Sequence, residues 1–321
     1  MMINETMIDE RLRDETMFEE KMIEVKGLTK GYEGVNAIDG VDLTVNRGSI
    51  YGLLGSNGAG KTTLLKTLAG LYRQDRGEVL IGGEKVYENT KIKDRMIFIS
   101  DALYFFPSYT IEEMGCFYGR MYSNWNEQRF RELQKIFKID FNRKINQLSK
   151  GMTRQVGIWL GLSTMAEVMI LDEPLDGLDS VMRKNVKNLL FQDVAERGVT
   201  IIISSHNLRE LEDLCDYVGI LHKGKMVIER DMDDLKRDVH KVQFALKDPE
   251  NSGEISGLEV LHKEKKGSVQ VWIIRGGHGE IEKRFKSLSP AILDILPLTL
   301  EEVFIYEMGD QDYEIDQILL R

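Results

Sequence analysis

Short apolar runs alternate along most of this chain with segments whose apolar residues recur every three or four positions, the signature of strands interleaved with amphipathic helices. Ser49–Leu54, Glu167–Leu171 and Val199–Ser204 read as strands. Within them, Val168-Met169-Ile170-Leu171 and Ile201-Ile202-Ile203 are apolar without alternation. Parallel strands look this way when both faces of their sheet are covered, so these two belong at the centre of a sheet. From Thr110 to Lys150 the pattern changes. Thr110 and Glu113 have the spacing of a capping box, and Phe130, Leu133, Ile136 and Phe137 recur at helical intervals, which predicts a helical insertion. A second change falls near Arg237. Beyond it Lys241–Leu246 and Val269–Ile274 read as strands, Gly279–Leu288 as a helix, and a further helix follows the Thr299/Glu302 capping spacing. The expected organisation is a tail over 1–21, an α/β domain over 22–237 and a small α+β appendage over 238–321.

Composition narrows the classes of function. A chain of 321 residues with 42% hydrophobic content has ample material for one large core and a smaller one. The formal charge of −10 excludes a general nucleic-acid binder, because phosphate backbones are held by surplus Lys and Arg. Cys116 and Cys215 lie in no CxxC or Cys/His cluster, so neither a disulfide framework nor a zinc site is indicated, and a reducing cytoplasm fits best. No apolar run approaches the roughly eighteen residues of a spanning helix. The first twenty residues carry seven acids against Arg11 and Arg13, unlike a signal peptide. Any role at a membrane is therefore expected to run through a separate spanning subunit.

The chemistry begins at Gly55-Ser56-Asn57-Gly58-Ala59-Gly60-Lys61-Thr62-Thr63, a match to G-x-x-x-x-G-K-[ST] between the strand ending at Leu54 and a helix carrying Leu64, Leu65, Leu68 and Leu71 on one face. Glycines let such a loop turn successive N–H groups toward phosphate oxygens, and the helix N-terminus adds its partial positive charge. Lys61 is then expected to reach the β- and γ-phosphates of ATP, and Thr62 to ligate Mg²⁺. By itself the loop specifies only a nucleoside triphosphate. The run from Val168 to Leu171 ends in adjacent acids, Asp172 and Glu173, a costly place for charge unless metal and water sit there. Asp172 is the expected Mg²⁺ ligand and Glu173 the expected general base for the attacking water.

Leu148-Ser149-Lys150-Gly151-Met152 lies between these two motifs and opens a helix. It resembles the LSGGQ signature of the ABC ATPases, with Met152 in place of the glutamine. Ser149 can cap the helix and Gly151 can let its backbone approach an anion closely. The resemblance covers about residues 22–230. It implies a phosphate-loop NTPase fold of ABC ATPase type with a helical subdomain at about 102–160, and a site in which Ser149 and Gly151 contact the γ-phosphate held by the other subunit of a dimer. It further implies that Tyr32 stacks on adenine, that Gly177-Leu178-Asp179 crosses the dimer interface, and that His206 contacts the γ-phosphate.

One position departs from the family. Asp101 stands where a glutamine usually touches Mg²⁺ and water; an aspartate can face Mg²⁺ directly or through water, and it adds a negative charge beside the phosphates. The implied function is the ATP-hydrolysing subunit of a transporter, exporter-like in the tail Leu300-Glu301-Glu302-Val303-Phe304. Such a subunit would lie on the inner face of the cell membrane, pairing with itself or a paralogue and docking its helical subdomain on an integral membrane permease subunit. A soluble relative acting on ribosomes or DNA is the alternative, though the chain has a single phosphate loop and no basic linker. A third reading makes the appendage a ligand sensor.

Overall fold

The computed structural model describes residues 20–232, 234–235, 239–246, 257–298, 302 and 306. Its centre is a sheet built on the apolar runs. Strands β3 (Ile50–Leu54), β6 (Met96–Ile99), β7 (Val168–Asp172), β8 (Thr200–Ser205) and β9 (Tyr217–His222) are followed across the sheet in the order β10-β9-β3-β8-β7-β6, where β10 is Lys225–Asp231. The first five pair in parallel, and β10 closes one edge antiparallel to β9. Because side chains alternate across a strand, each run feeds two cores. Met169 and Leu171 face the core containing Ile201 and Ile203, whereas Val168 and Ile170 face the core containing Ile202. This two-sided burial is why the runs lack any polar alternation.

Helix α1 (Lys61–Leu68) covers one face of that sheet through Leu64, Leu65 and Leu68. The same core is closed by a second, antiparallel sheet of order β2-β1-β4-β5, made of β1 (Lys21–Tyr32), β2 (Val35–Asn46), β4 (Arg76–Ile81) and β5 (Glu84–Lys85). The 12-residue strands β1 and β2 are joined through Glu33 and Gly34, both at positive φ (48° and 84°), the backbone a tight right-twisting hairpin demands. A short helix, α2 (Thr90–Asp94), leads into β6.

On the opposite face, α3 (Ile111–Met121), α4 (Glu127–Phe137) and α5 (Lys150–Ser163) pack around Trp159. The capping box is complete in both directions: the Glu113 N–H donates to Thr110 Oγ1 and the Thr110 N–H to Glu113 Oε2. Phe130, Phe137 and Phe141 surround the buried indole at ring separations of 5.0, 5.8 and 5.3 Å, and Trp159 Nε1 donates to the Phe130 carbonyl at 2.7 Å. Emptying this site removes both the aromatic contacts and a buried hydrogen bond. Trp159→Ala is expected to cost about 3–5 kcal/mol, read as a lowered midpoint of thermal unfolding.

Helix α6 (Ser180–Arg197) follows β7, and the five-residue α7 (Leu208–Glu212) follows β8. Beyond residue 238, strands β11 (Val239–Ala245), β12 (Glu259–Lys266), β13 (Val269–Arg275) and β14 (Ile292–Pro297) form an antiparallel sheet ordered β12-β13-β11-β14, with α8 (His278–Ser287) packed on it. Val242, Phe244, Ile274, Ile281 and Phe285 make its own small core, while Val239, Ile273 and Leu298 join the large core of the main body. Of the helix expected after Thr299, only Glu302 and Tyr306 are among the described residues, and the tail over 1–19 lies outside them. No helix among the described residues is long and apolar enough to cross a membrane.

Candidate active site

Parallel strands deliver their C-terminal ends to one edge of the sheet, and the loop Gly55–Lys61 rises there from β3 into α1. Gly60 sets the curl. It occupies the capping position of α1 at φ 109°, and any Cβ at that point would collide with the Ala37 carbonyl. Gly58 is also left-handed, at φ 82°. Lys61 is nearly buried, and its Nζ turns back to donate to the Gly55 carbonyl at 2.5 Å.

Around that lysine the structure assembles one connected polar network. Lys61 Nζ lies 3.2 Å from Glu173 Oε1, and Glu173 Oε2 lies 2.9 Å from His206 Nδ1. An ionised carboxylate only accepts, so this contact puts the imidazole proton on Nδ1 and leaves Nε2 without one in the neutral ring. Thr62 Oγ1 donates to Asp172 Oδ2 at 2.8 Å. Ser204, which the register of β7 and β8 sets opposite Asp172, donates to Asp172 Oδ1 at 2.7 Å and accepts the Glu173 N–H at 3.0 Å. Sequence reading assigned Ser204 no role; its importance depends on strand order. Glu173 itself sits at φ 49°, a left-handed conformation costing a non-glycine residue about 1–2 kcal/mol, and this turn swings its carboxylate toward Lys61 and His206 while Asp172 stays with Thr62.

The family follows from comparison. The family model described as ABC transporter matches residues 38–176. The Bacillus subtilis (strain 168) ABC transporter ATP-binding protein YtrB is 31% identical over 286 residues, spanning 89% of this chain and 98% of that protein. The chain belongs to the ABC transporter ATP-binding subunits. As an ABC ATPase it binds and hydrolyses ATP. The bacitracin transport ATP-binding protein BcrA of Bacillus licheniformis is 34% identical over 86% of this chain and 92% of its own. Among solved structures, the dimeric form of a bacterial ABC transporter cassette superposes with a TM-score of 0.61 at 26% identity, covering 66% of this chain and 99% of that one.

The remaining expected residues of this ABC subunit lie outside the Lys61 network. Tyr32 ends β1 with an exposed ring, edge-on to Tyr72 at 6.1 Å and with Lys30 Nζ 5.7 Å from its centroid. Asp75 fixes the backbone there: the Gly31 N–H and then Lys30 donate to its carboxyl and hold it below the usual carboxylate range. Ser149 caps α5, accepting the Met152 N–H at 3.3 Å, and Asp179 caps α6, accepting the Met182 N–H at 2.9 Å. Gly151 seats the tip of α5 against the loop after β7, where a Cβ would come within 2.8 Å of the Gly177 carbonyl. Neither Ser149 nor Asp179 is hydrogen-bonded to the Lys61 network. Asp101, expected beside Thr62 and Asp172 at the metal, is paired in this structure with a cation. Arg154 of α5 donates to its carboxylate.

Proposed function

We propose that two copies of this chain close over ATP, each nucleotide gripped by the phosphate loop of one protomer and the Ser149-led tip of α5 in the other, and that closure and reopening drive a separate membrane subunit, in the direction of export. The observation that carries this reading is the division of the site. Lys61, Thr62, Asp172, Glu173 and His206 form one network, and the capped tip at Ser149 and Gly151, suited to an anion, has no bond to it. A triphosphate bridging two chains joins the halves.

Within each half the roles are those the family resemblance implies, and the polar network supports those of Lys61, Thr62, Asp172, Glu173 and His206. The N–H groups over Ser56, Asn57, Gly58, Ala59, Gly60 and Thr63 surround the phosphates; Lys61 leaves Glu173 for the β- and γ-phosphates; Tyr32 stacks on adenine. Thr62 Oγ1 and Asp172 Oδ2 are hard oxygen donors 2.8 Å apart and would hold Mg²⁺. A Mg²⁺ ion bound there would supply positive charge against that of the phosphates. Glu173, released from Lys61, takes the proton of the attacking water, and His206 Nε2 is placed to meet a γ-phosphate oxygen while Nδ1 remains on Glu173. Asp179, on the loop next to Gly177, meets the opposite protomer.

Support for a membrane partner comes from the helical subdomain, where Tyr104, Phe106, Tyr109 and Met121 expose apolar surface near α3 and the Phe106 ring lies tilted against Tyr109 at 4.9 Å. Cys116 is exposed on α3. A photo-crosslinker attached there in cells is expected to capture an integral membrane polypeptide. Capture of ribosomal proteins or DNA instead would establish the soluble alternative. The exporter direction rests on the tail Leu300–Phe304, of which only Glu302 is among the described residues.

A further inference from the structure

One face of α5 carries Gly151, Arg154 and Gly157 at intervals of three, followed by Gly161. Each glycine marks a close approach to the helix, by side-chain tips at Gly157 and Gly161 and by backbone at Gly151. A Cβ at Gly157 would come within 2.6 Å of the Leu103 side chain, one at Gly161 within 2.7 Å of Ile99, and one at Gly151 within 2.8 Å of the Gly177 carbonyl. This face therefore lies directly on two segments, the one that follows β6 and the one that follows β7.

Arg154, between the glycines, is buried to 2% exposure and reaches both. Its Nη2 donates to the Asp101 carboxylate and, at 3.1 Å, to the Asp101 carbonyl. Its Nη1 donates to the Asp176 carbonyl at 2.5 Å and lies 3.3 Å from Asp176 Oδ2. Lys150 Nζ, at the start of the same helix, is 3.9 Å from that carboxylate. The guanidinium fork thus satisfies two carbonyls and two carboxylates from separate loops, a task its planar, two-pronged donor set suits and an ammonium does not. Five residues, about 7.5 Å of helix, separate it from Ser149.

We infer that Arg154 is a positioning residue for ATP hydrolysis: by neutralising Asp101 and Asp176 together it fixes the tip of α5 relative to the loops after β6 and β7. The inference rests on the reading of Ser149 as the second half of the nucleotide site. It assigns Asp101 a partner in place of a metal. The extra negative charge at that position is matched by a cation supplied from α5, and Asp101 and Arg154 act as a pair.

A double-mutant cycle tests this in the full-length chain. Arg154→Gln leaves two carboxylates without their shared cation and is expected to lower kcat at least tenfold, with affinity for a fluorescent ATP analogue changed less than threefold. Asp101→Gln, which leaves Arg154 paired with Asp176, is expected to lower kcat less than Arg154→Gln does and to keep the Mg²⁺ concentration for half-maximal activity within threefold of wild type. Combining the two removes one of the unpaired carboxylates and is expected to recover part of the loss, about threefold above Arg154→Gln but below wild type because the fork between the loops is still missing; such non-additivity marks a coupled pair. A double variant no better than Arg154→Gln overturns the inference, as does a tenfold rise in Mg²⁺ requirement for Asp101→Gln, which would make Asp101 a metal ligand. Should Arg154→Gln not fold, Arg154→Lys carries the test, since one nitrogen cannot fork between the loops. Its expected result is the same fall in kcat at unchanged nucleotide affinity, and wild-type kcat overturns the proposal. Failure of the two-copy reading would appear separately, as an absence of ATP-dependent association of chains carrying intact Arg154, and the activity cycle decides on Arg154 in either case.

Discussion

Replacing Glu173 with glutamine is expected to lower ATP turnover by about two to four orders of magnitude while leaving nucleotide binding intact or tighter. The loss follows from removing the general base, whose contribution to a proton-transfer step is of that size. Retained binding follows from the geometry without nucleotide. Glu173 Oε1 holds Lys61 at 3.2 Å, so the carboxylate competes with phosphate for the same ammonium. Glutamine keeps the shape and the hydrogen bond to His206 but gives up the charge, and Lys61 becomes freer to meet ATP. With hydrolysis blocked and Mg-ATP present, the variant is expected to accumulate as a two-copy species, measurable by light scattering. Adding Ser149→Arg, which crowds the second half of the site, is expected to return it to the smaller species. Undiminished turnover in Glu173→Gln would remove that residue from the chemistry, and an unchanged mass would remove the shared site.

What was legible in advance was whatever depends on a residue and its near neighbours. The apolar run Val168–Leu171 specifies a doubly covered strand because both of its faces must be filled, and the strand runs Val168–Asp172, shifted by one residue from the expected Glu167–Leu171. The phosphate loop was readable because glycine spacing and a following helix are local. The hairpin β1–β2 was not, since its alternation is broken by register shifts between Lys21 and Ile23, Val25 and Leu28, and Lys30 and Gly31. Each irregularity moves the apolar side chains out of strict period two. Ser204 and Arg154 were missed for a different reason: an ordinary serine at a strand end and an ordinary arginine in a helix acquire meaning only from what strand order and helix seating place against them. Glu173 shows both limits. Its chemistry was visible from the adjacent Asp172, whereas the left-handed backbone that separates the two carboxylates was not.

Lys61→Ala is expected to abolish the stabilisation that ATP confers. The ammonium is the cation that the phosphate loop itself supplies, and losing a charge-assisted contact to phosphate costs about 3 kcal/mol, on the order of a hundredfold in Kd. At ATP set to one hundred times the wild-type Kd, binding stabilises the wild type by about 2.7 kcal/mol, whereas the variant, then near its own Kd, gains only about 0.4 kcal/mol. For a chain of 321 residues, with an unfolding entropy of about 2.1 cal/mol/K per residue, the first corresponds to a rise of roughly 4 °C in thermal midpoint and the second to less than about 1 °C. Without nucleotide the variant is also expected to melt below wild type. The Gly55 carbonyl loses its donor, the Ser56 carbonyl keeps only the Ala59 N–H, and the Glu173 carboxylate keeps only His206, which costs about 1–3 kcal/mol. Scanning both proteins with and without Mg-ATP separates the two effects, because the structural one lowers both curves of the variant and the binding one removes the gap between them. A variant that melts lower yet keeps the full ATP-dependent rise would mean that Lys61 serves the loop's shape and not its ligand.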